Sequence, residues 1–166
     1  SNPNYDVTKT DSTLTVGAKP AGVAANAKVK TYGDDNPALD AAVTGTVNGD
    51  TLAYTLATAA GKYSAAGGYP ITVTLGVNPN YDVTKTDSTL TVIAKAAITN
   101  QPQDLAVIVG QSAAFMVSAS GTPPLSYQWR FNGVNIAGAT GANYSVVDVQ
   151  PTNAGSYSVV VTNVAG

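Results

Sequence analysis

The sequence predicts an all-β chain built as two small β modules in tandem, and three observations lead there. Thr occurs 21 times, and Val and Ala dominate the apolar residues, a bias towards strands. Apolar residues recur with period two over short stretches bounded by Gly, Pro, Asn and Asp. The fifteen residues NPNYDVTKTDSTLTV stand at 2–16 and again, unchanged, at 78–92, so a structural unit recurs after 76 residues. At 166 residues the chain accommodates two small cores, each burying a modest apolar surface.

Only Ser1 precedes the first copy, so residues 1–18 read as the C-terminal strands of a preceding repeat, and the chain as a slice of a longer array. The first module spans 19–95. AKVKTY at 27–32 alternates as a strand, GDDNP at 33–37 turns the chain, and ALDAAVTG leads to a turn at Asn48–Asp50. TLAYTLATAA at 51–60 has the Ala content of a helix. Thr51, Thr55 and Thr58, a Tyr and the flanking glycines favour a strand there. GGYPITVTLG at 67–76 puts Tyr69, Ile71, Val73 and Leu75 on one face and Thr72 and Thr74 on the other, the spacing of a half-buried strand. In the repeated segment Tyr81 and Val83 share a face, KTD at 85–87 is turn-prone, and Leu90 and Val92 share a face, which predicts a closing hairpin. The tyrosines read as core plugs whose hydroxyls reach the rim, with a carbohydrate-stacking face as the competing reading.

Composition changes after Lys95, where Gln and Pro102 enter and the repeat does not return, so the second module spans 96–166. Phe115, Val117 and Ala119 alternate, GTPP at 121–124 reverses the chain, and Tyr127 and Trp129 alternate. NYSVVDV at 143–149 and SYSVVVTN at 156–163 supply two more strands, and short strands with turns about every ten residues predict a β-sandwich. Short linkers are expected at 17–26 and 94–98.

The inventory of reactive side chains is thin. His, Cys and Glu are absent, which excludes a disulfide, the usual catalytic triads and zinc sites. Eight basic residues are scattered against ten Asp, so no positive stripe for nucleic acid forms. No apolar run approaches the roughly 20 residues of a membrane span. Asp34 and Asp35 with Asp50 are the candidate calcium ligands, although the spacing is not that of a calcium loop and turn capping is the competing reading. No phosphate loop is present in GDDNP or GGYPI. The expectation is a chain without catalytic residues or cofactor.

The segments KTYGDDNPALDAAVTG, VNGD, SAAGGYPITVTLG and NPNYDVTKTDSTLTV, in that order between 30 and 92, resemble the MBG repeat. Tyr32 and Gly33 match its YG, Asn36 and Pro37 its NP, Asn48–Asp50 its NGD, Tyr69 its tyrosine after the glycines, and Asn80 and Tyr81 its NY pair. The resemblance implies a unit of large bacterial secreted or surface proteins, used in stalks and adhesins. The second module resembles a bacterial immunoglobulin-like domain of the intermediate type through Gly110, GTPP, Trp129 and NAGSY at 153–157. That likeness implies a buried Trp129 and a tyrosine corner at Tyr157. It places Val117 and Val159 where the family's two cysteines stand, so the sandwich lacks the disulfide. It also implies a last strand after Asn163 that this chain lacks, so either the domain continues in the parent protein or an open edge near 156–163 is completed by another chain.

Two function classes fit. A structural stalk or spacer of an extracellular adhesin-like protein needs short linkers and a polar Thr-rich skin. Its partners are the neighbouring modules of the same chain, with homotypic end-to-end strand exchange between 2–16, through Tyr5, Val7, Leu14 and Val16, and the open edge. An adhesive module binding carbohydrate or protein needs exposed aromatics, with Tyr54, Tyr63, Tyr127 and Trp129 as suppliers. Aromatic exposure separates the two.

Overall fold

Two β-sandwiches follow one another along the chain in the computed structural model, which describes residue 4 and residues 8–166. The first contains β1 (Lys19–Ala25), β2 (Lys28–Thr31), β3 (Ala41–Thr44), β4 (Tyr54–Thr58), β5 (Gly67–Leu75), β6 (Tyr81–Thr86) and β7 (Ser88–Ile93). One sheet runs β3-β1-β6 and the other β2-β7-β5-β4. Residues 19–25 therefore form a strand within the expected linker 17–26, because the small residues of Pro-Ala-Gly-Val pack between β3 and β6.

Alternation decides which residues fill the space between the sheets. Ile71 and Val73 on β5, Leu90 and Val92 on β7 and Val23 on β1 are enclosed almost completely, while Thr72 and Thr74 face water. Ala21, Val23, Leu52 and Val73 form one cluster, and Ala60, Ile71 and Leu90 a second. Each large aliphatic side chain buried this way contributes about 1.5–3 kcal/mol.

The closing hairpin is not what the repeated segment makes. β6 pairs in parallel with β1, Lys19 opposite Tyr81 through Ala24 opposite Thr86, and β7 pairs in parallel with β2 in the other sheet. Asp87 alone separates β6 from β7, and there the chain crosses from one sheet to the other instead of turning back. Side chains around the crossing replace the missing ladder: Asp87 Oδ1 accepts from Val73 N at 2.8 Å, and Lys85 Nζ donates to Val73 O at 2.8 Å. Residues 19–31 and 81–93 thus make two ribbons lying side by side in the same direction. Parallel first and last ribbons set the entrance of the module at Lys19 and its exit at Ile93 at opposite poles.

The second sandwich contains β8 (Ala97–Asn100), β9 (Ala113–Met116), β10 (Ser118–Ser120), β11 (Ser126–Phe131), β12 (Val134–Asn135), β13 (Asn143–Val146) and β14 (Tyr157–Thr162), with a 3-10 turn at Pro151–Asn153. β8 pairs with β10 and β9 with β13 on one side, facing the sheet β12-β11-β14. Trp129 sits in the centre, fully enclosed among Val117, Ala139, Phe115, Tyr144 and Val159. Its Nε1–H donates to Gly141 O at 2.9 Å, which satisfies the indole's one polar group. Tyr157 stacks on Phe115 with centroids 4.6 Å apart, and its hydroxyl donates to Asn153 O at 3.0 Å, four residues upstream.

Candidate functional site

The most specific polar arrangement lies where one sandwich passes into the other, at Ala94. Ile93 O, the last carbonyl of β7, accepts from Tyr32 N at 2.7 Å and belongs to the first module. One residue later both backbone groups belong to the second. Ala94 N donates to Thr122 Oγ1 at 2.8 Å, and Ala94 O accepts from Thr122 N at 3.0 Å. Asn163 Nδ2 donates to Ala94 O at 2.7 Å and to Thr122 O at 2.9 Å, tying the end of β14 to the same point. Asn163 is itself held, since its Oδ1 accepts from Ala165 N at 3.0 Å.

Gly121 makes this approach possible. Its φ of +139° favours glycine, and a Cβ there would stand 2.8 Å from Lys95 O. Thr122 and Asn163 lie far from Ala94 in sequence, so periodicity carries no signal for them. The expected linker at 94–98 is one residue of clamped backbone followed closely by β8.

The candidate calcium ligands are not brought together. Asp35 pairs with Lys62 at 3.2 Å, and Asp50 Oδ2 accepts from the Tyr81 hydroxyl at 2.6 Å. The Asp34 backbone carbonyl accepts from Lys30 Nζ at 3.1 Å. Among the described residues no three carboxylates gather as a metal site would need. Tyr81 OH also accepts from Val47 N at 3.2 Å, so the NGD turn is pinned to the start of β6. Donation to the Asp50 carboxylate raises the Tyr81 phenol above its ordinary value.

Sequence reasoning passed over Lys30, the one buried charged side chain among the described residues. Its ammonium donates to Gly61 O at 2.6 Å and to Asp34 O, so the cation closes two loops at the exit pole. Asn78 performs the matching task at the entrance, with Oδ1 accepting from Ala53 N at 2.7 Å and Nδ2 donating to Ala53 O at 3.1 Å.

The aromatic side chains divide sharply. Trp129 is in the core, and Tyr54, Tyr69, Tyr81, Tyr127, Tyr144 and Tyr157 are half-buried. Tyr32 and Tyr63 are 52% and 70% exposed and lie against each other with centroids 6.1 Å apart. Of the four suggested suppliers of a binding face, only Tyr63 is on the surface, and its partner Tyr32 was not among them. Tyr5 and Val7 lie outside the described residues.

Comparison with known proteins gives the same division of the chain. A curated relative, endoglucanase C of Cellulomonas fimi, is 36% identical over 73 residues, which is 42% of this chain and 7% of that protein. The chain thus spans a small fraction of that relative's length. Among solved structures, immunoglobulin domains 1–4 of Sidekick-1 superpose with a TM-score of 0.60 at 12% identity, over 91% of this chain and 45% of that one. An I-band fragment of titin superposes at 0.57 and 12% identity, over 87% and 59%. Extracellular domains 3–5 of Drosophila OTK give 0.51 and 13%, over 90% and 56%. At such identities these likenesses establish the fold alone. No helix among the described residues is long and apolar enough to cross a membrane. Residues 21–91 match the MBG domain of YGX type and residues 95–163 the immunoglobulin domain. The chain therefore contains an MBG domain followed directly by an immunoglobulin domain.

Proposed function

We propose that this chain is a non-catalytic spacer of a larger extracellular surface protein, holding what lies on either side of it at a fixed distance and angle. The clamp on Ala94 carries the reading. A flexible tether between modules would leave that backbone to water, whereas here both of its polar groups are used within one residue of the end of β7. The opposite poles of the MBG module add to it, because a unit entered at one end and left at the other extends an array.

Nitrogen-15 relaxation of the intact chain tests this. One rotational correlation time shared by both modules is expected, and Asn163→Ala with Thr122→Val should give each module its own, shorter time. Independent tumbling of the modules in the unaltered protein would overturn the spacer reading.

The exposed pair Tyr32 and Tyr63 favours a second reading, an adhesive face for carbohydrate or protein. Loss of glycan or protein capture in Tyr32→Ala with Tyr63→Ala would support it. Copies of the spacer also meet end to end by strand exchange in this proposal, through the segment 2–16 and the edge of β14.

A further inference from the structure

Asparagine is a poor strand former, and beside the strands of this chain it is usually held through its side chain. Asn36, Asn78 and Asn163 donate to backbone carbonyls, Asn132 and Asn153 accept from backbone amides, and Asn135 accepts from Arg130. Asn143 is different. It stands exposed at the first position of β13, and the side-chain hydrogen bonds among the described residues of the immunoglobulin module do not include it. Two residues on is Ser145, also exposed, while Tyr144 between them turns inward against Trp129. Alternation thus puts the carboxamide and the hydroxyl on one outward face. Asn-Tyr-Ser is the acceptor pattern of N-linked glycosylation, a hydroxyl two residues after the amide with no proline between, and it occurs once in the sequence.

The cross-strand neighbours add a second observation. β13 pairs with β9, Asn143 opposite Met116 and Ser145 opposite Ala114. Side chains directly opposed in this way lie about 5 Å apart on the same face. Met116 is the chain's one methionine and is 66% exposed. The free carboxamide therefore rises beside an apolar thioether that lies in water.

We propose that Asn143 is the acceptor of an N-linked glycan whose first sugar covers Met116. The donor is an oligosaccharide carried on a polyisoprenyl diphosphate, supplied with its transferase by the exporting cell. Asn143 Nδ2 bonds to C1 of the first sugar, and the C1–O bond to the diphosphate breaks. The lipid diphosphate leaves with the electron pair, and one amide proton passes to a base on the transferase. Ser145 is a positioning residue, presenting its hydroxyl on the face from which the amide is reached. Neither the core around Trp129 nor the clamp on Ala94 uses Asn143 or Ser145, so the fold tolerates the addition. The proposal takes from the spacer reading its extracellular setting and nothing of its rigidity.

The test is to secrete the full chain from a eukaryotic host that attaches N-glycans and to weigh it before and after an amidase that releases them. One glycan is expected, and its release should leave a carboxylate in place of the Asn143 amide. N143Q and S145A should carry none, whereas S145T should carry it. Hydrogen peroxide should oxidise Met116 several-fold more slowly in the glycosylated chain than in N143Q. N143Q alters an exposed side chain without partners and should melt as the enzymatically deglycosylated parent does, so a difference in oxidation reports cover and not unfolding. A full chain secreted without a glycan, a glycan that persists in N143Q or S145A, or equal oxidation of Met116 in the two chains would each overturn the proposal. None of these readouts depends on how the modules tumble, so the spacer reading and the glycan site can fail separately.

Discussion

Trp129 concentrates the stability of the immunoglobulin module in one side chain. It is enclosed on all sides and no disulfide bridges the two sheets; Val117 and Val159 pack against the indole instead. Trp129→Ala should cost about 3–5 kcal/mol, read as a fall in the denaturation midpoint of that module alone. Tyr81 is a different kind of residue, since its contribution depends on a proton. Donation to Asp50 lifts the folded-state phenol above the usual value of about 10. The folded protein holds that proton more tightly than the unfolded chain. The contribution is therefore complete below about pH 10 and disappears as pH rises through the folded value. Tyr81→Phe should lose stability at neutral pH and show a weaker alkaline decline, measured by urea denaturation as a function of pH.

At the scale of elements, the crossing at Asp87 is the instructive case. The alternation of Tyr81 with Val83 and of Leu90 with Val92 located two strands, and the structure has them at β6 and β7. What alternation cannot reveal is the neighbour each strand chooses. A one-residue break and a tight turn look alike in sequence, and the outcome depends on β1 and β2, more than fifty residues upstream, offering parallel partners. The side-chain ladder on Val73 was equally hidden, because Lys85 and Asp87 resemble ordinary turn residues until β5 is placed beside them. Asp87→Ala leaves the Val73 amide without an acceptor inside the sandwich and should cost about 1–3 kcal/mol. Asp87→Asn keeps an acceptor oxygen and should cost much less in the same denaturation experiment. The motifs of the MBG repeat were legible for a related reason: Asn36, Asp50, Asn78 and Tyr81 serve contacts made within the module, so they travel with its local sequence. Thr122 and Asn163 act on the backbone of the junction residue Ala94, far from them in sequence, and only the assembled chain identifies them.

For the molecule as a whole, the direction of the two ribbons decides how it answers to tension. A pull on the two ends of the MBG module draws Lys19 and Ile93 apart along the ribbon axis. Six residue pairs join β1 to β6 and four join β2 to β7, all in parallel register. The strands are then dragged lengthwise past one another, so the hydrogen bonds of each ladder must yield together; in a hairpin opened from its end they would break singly, in sequence. Rupture under a steady pull is governed by the unfolding rate, not by the equilibrium stability. A domain with few charges, no cross-link and a modest core can accordingly be weak in urea and strong in shear.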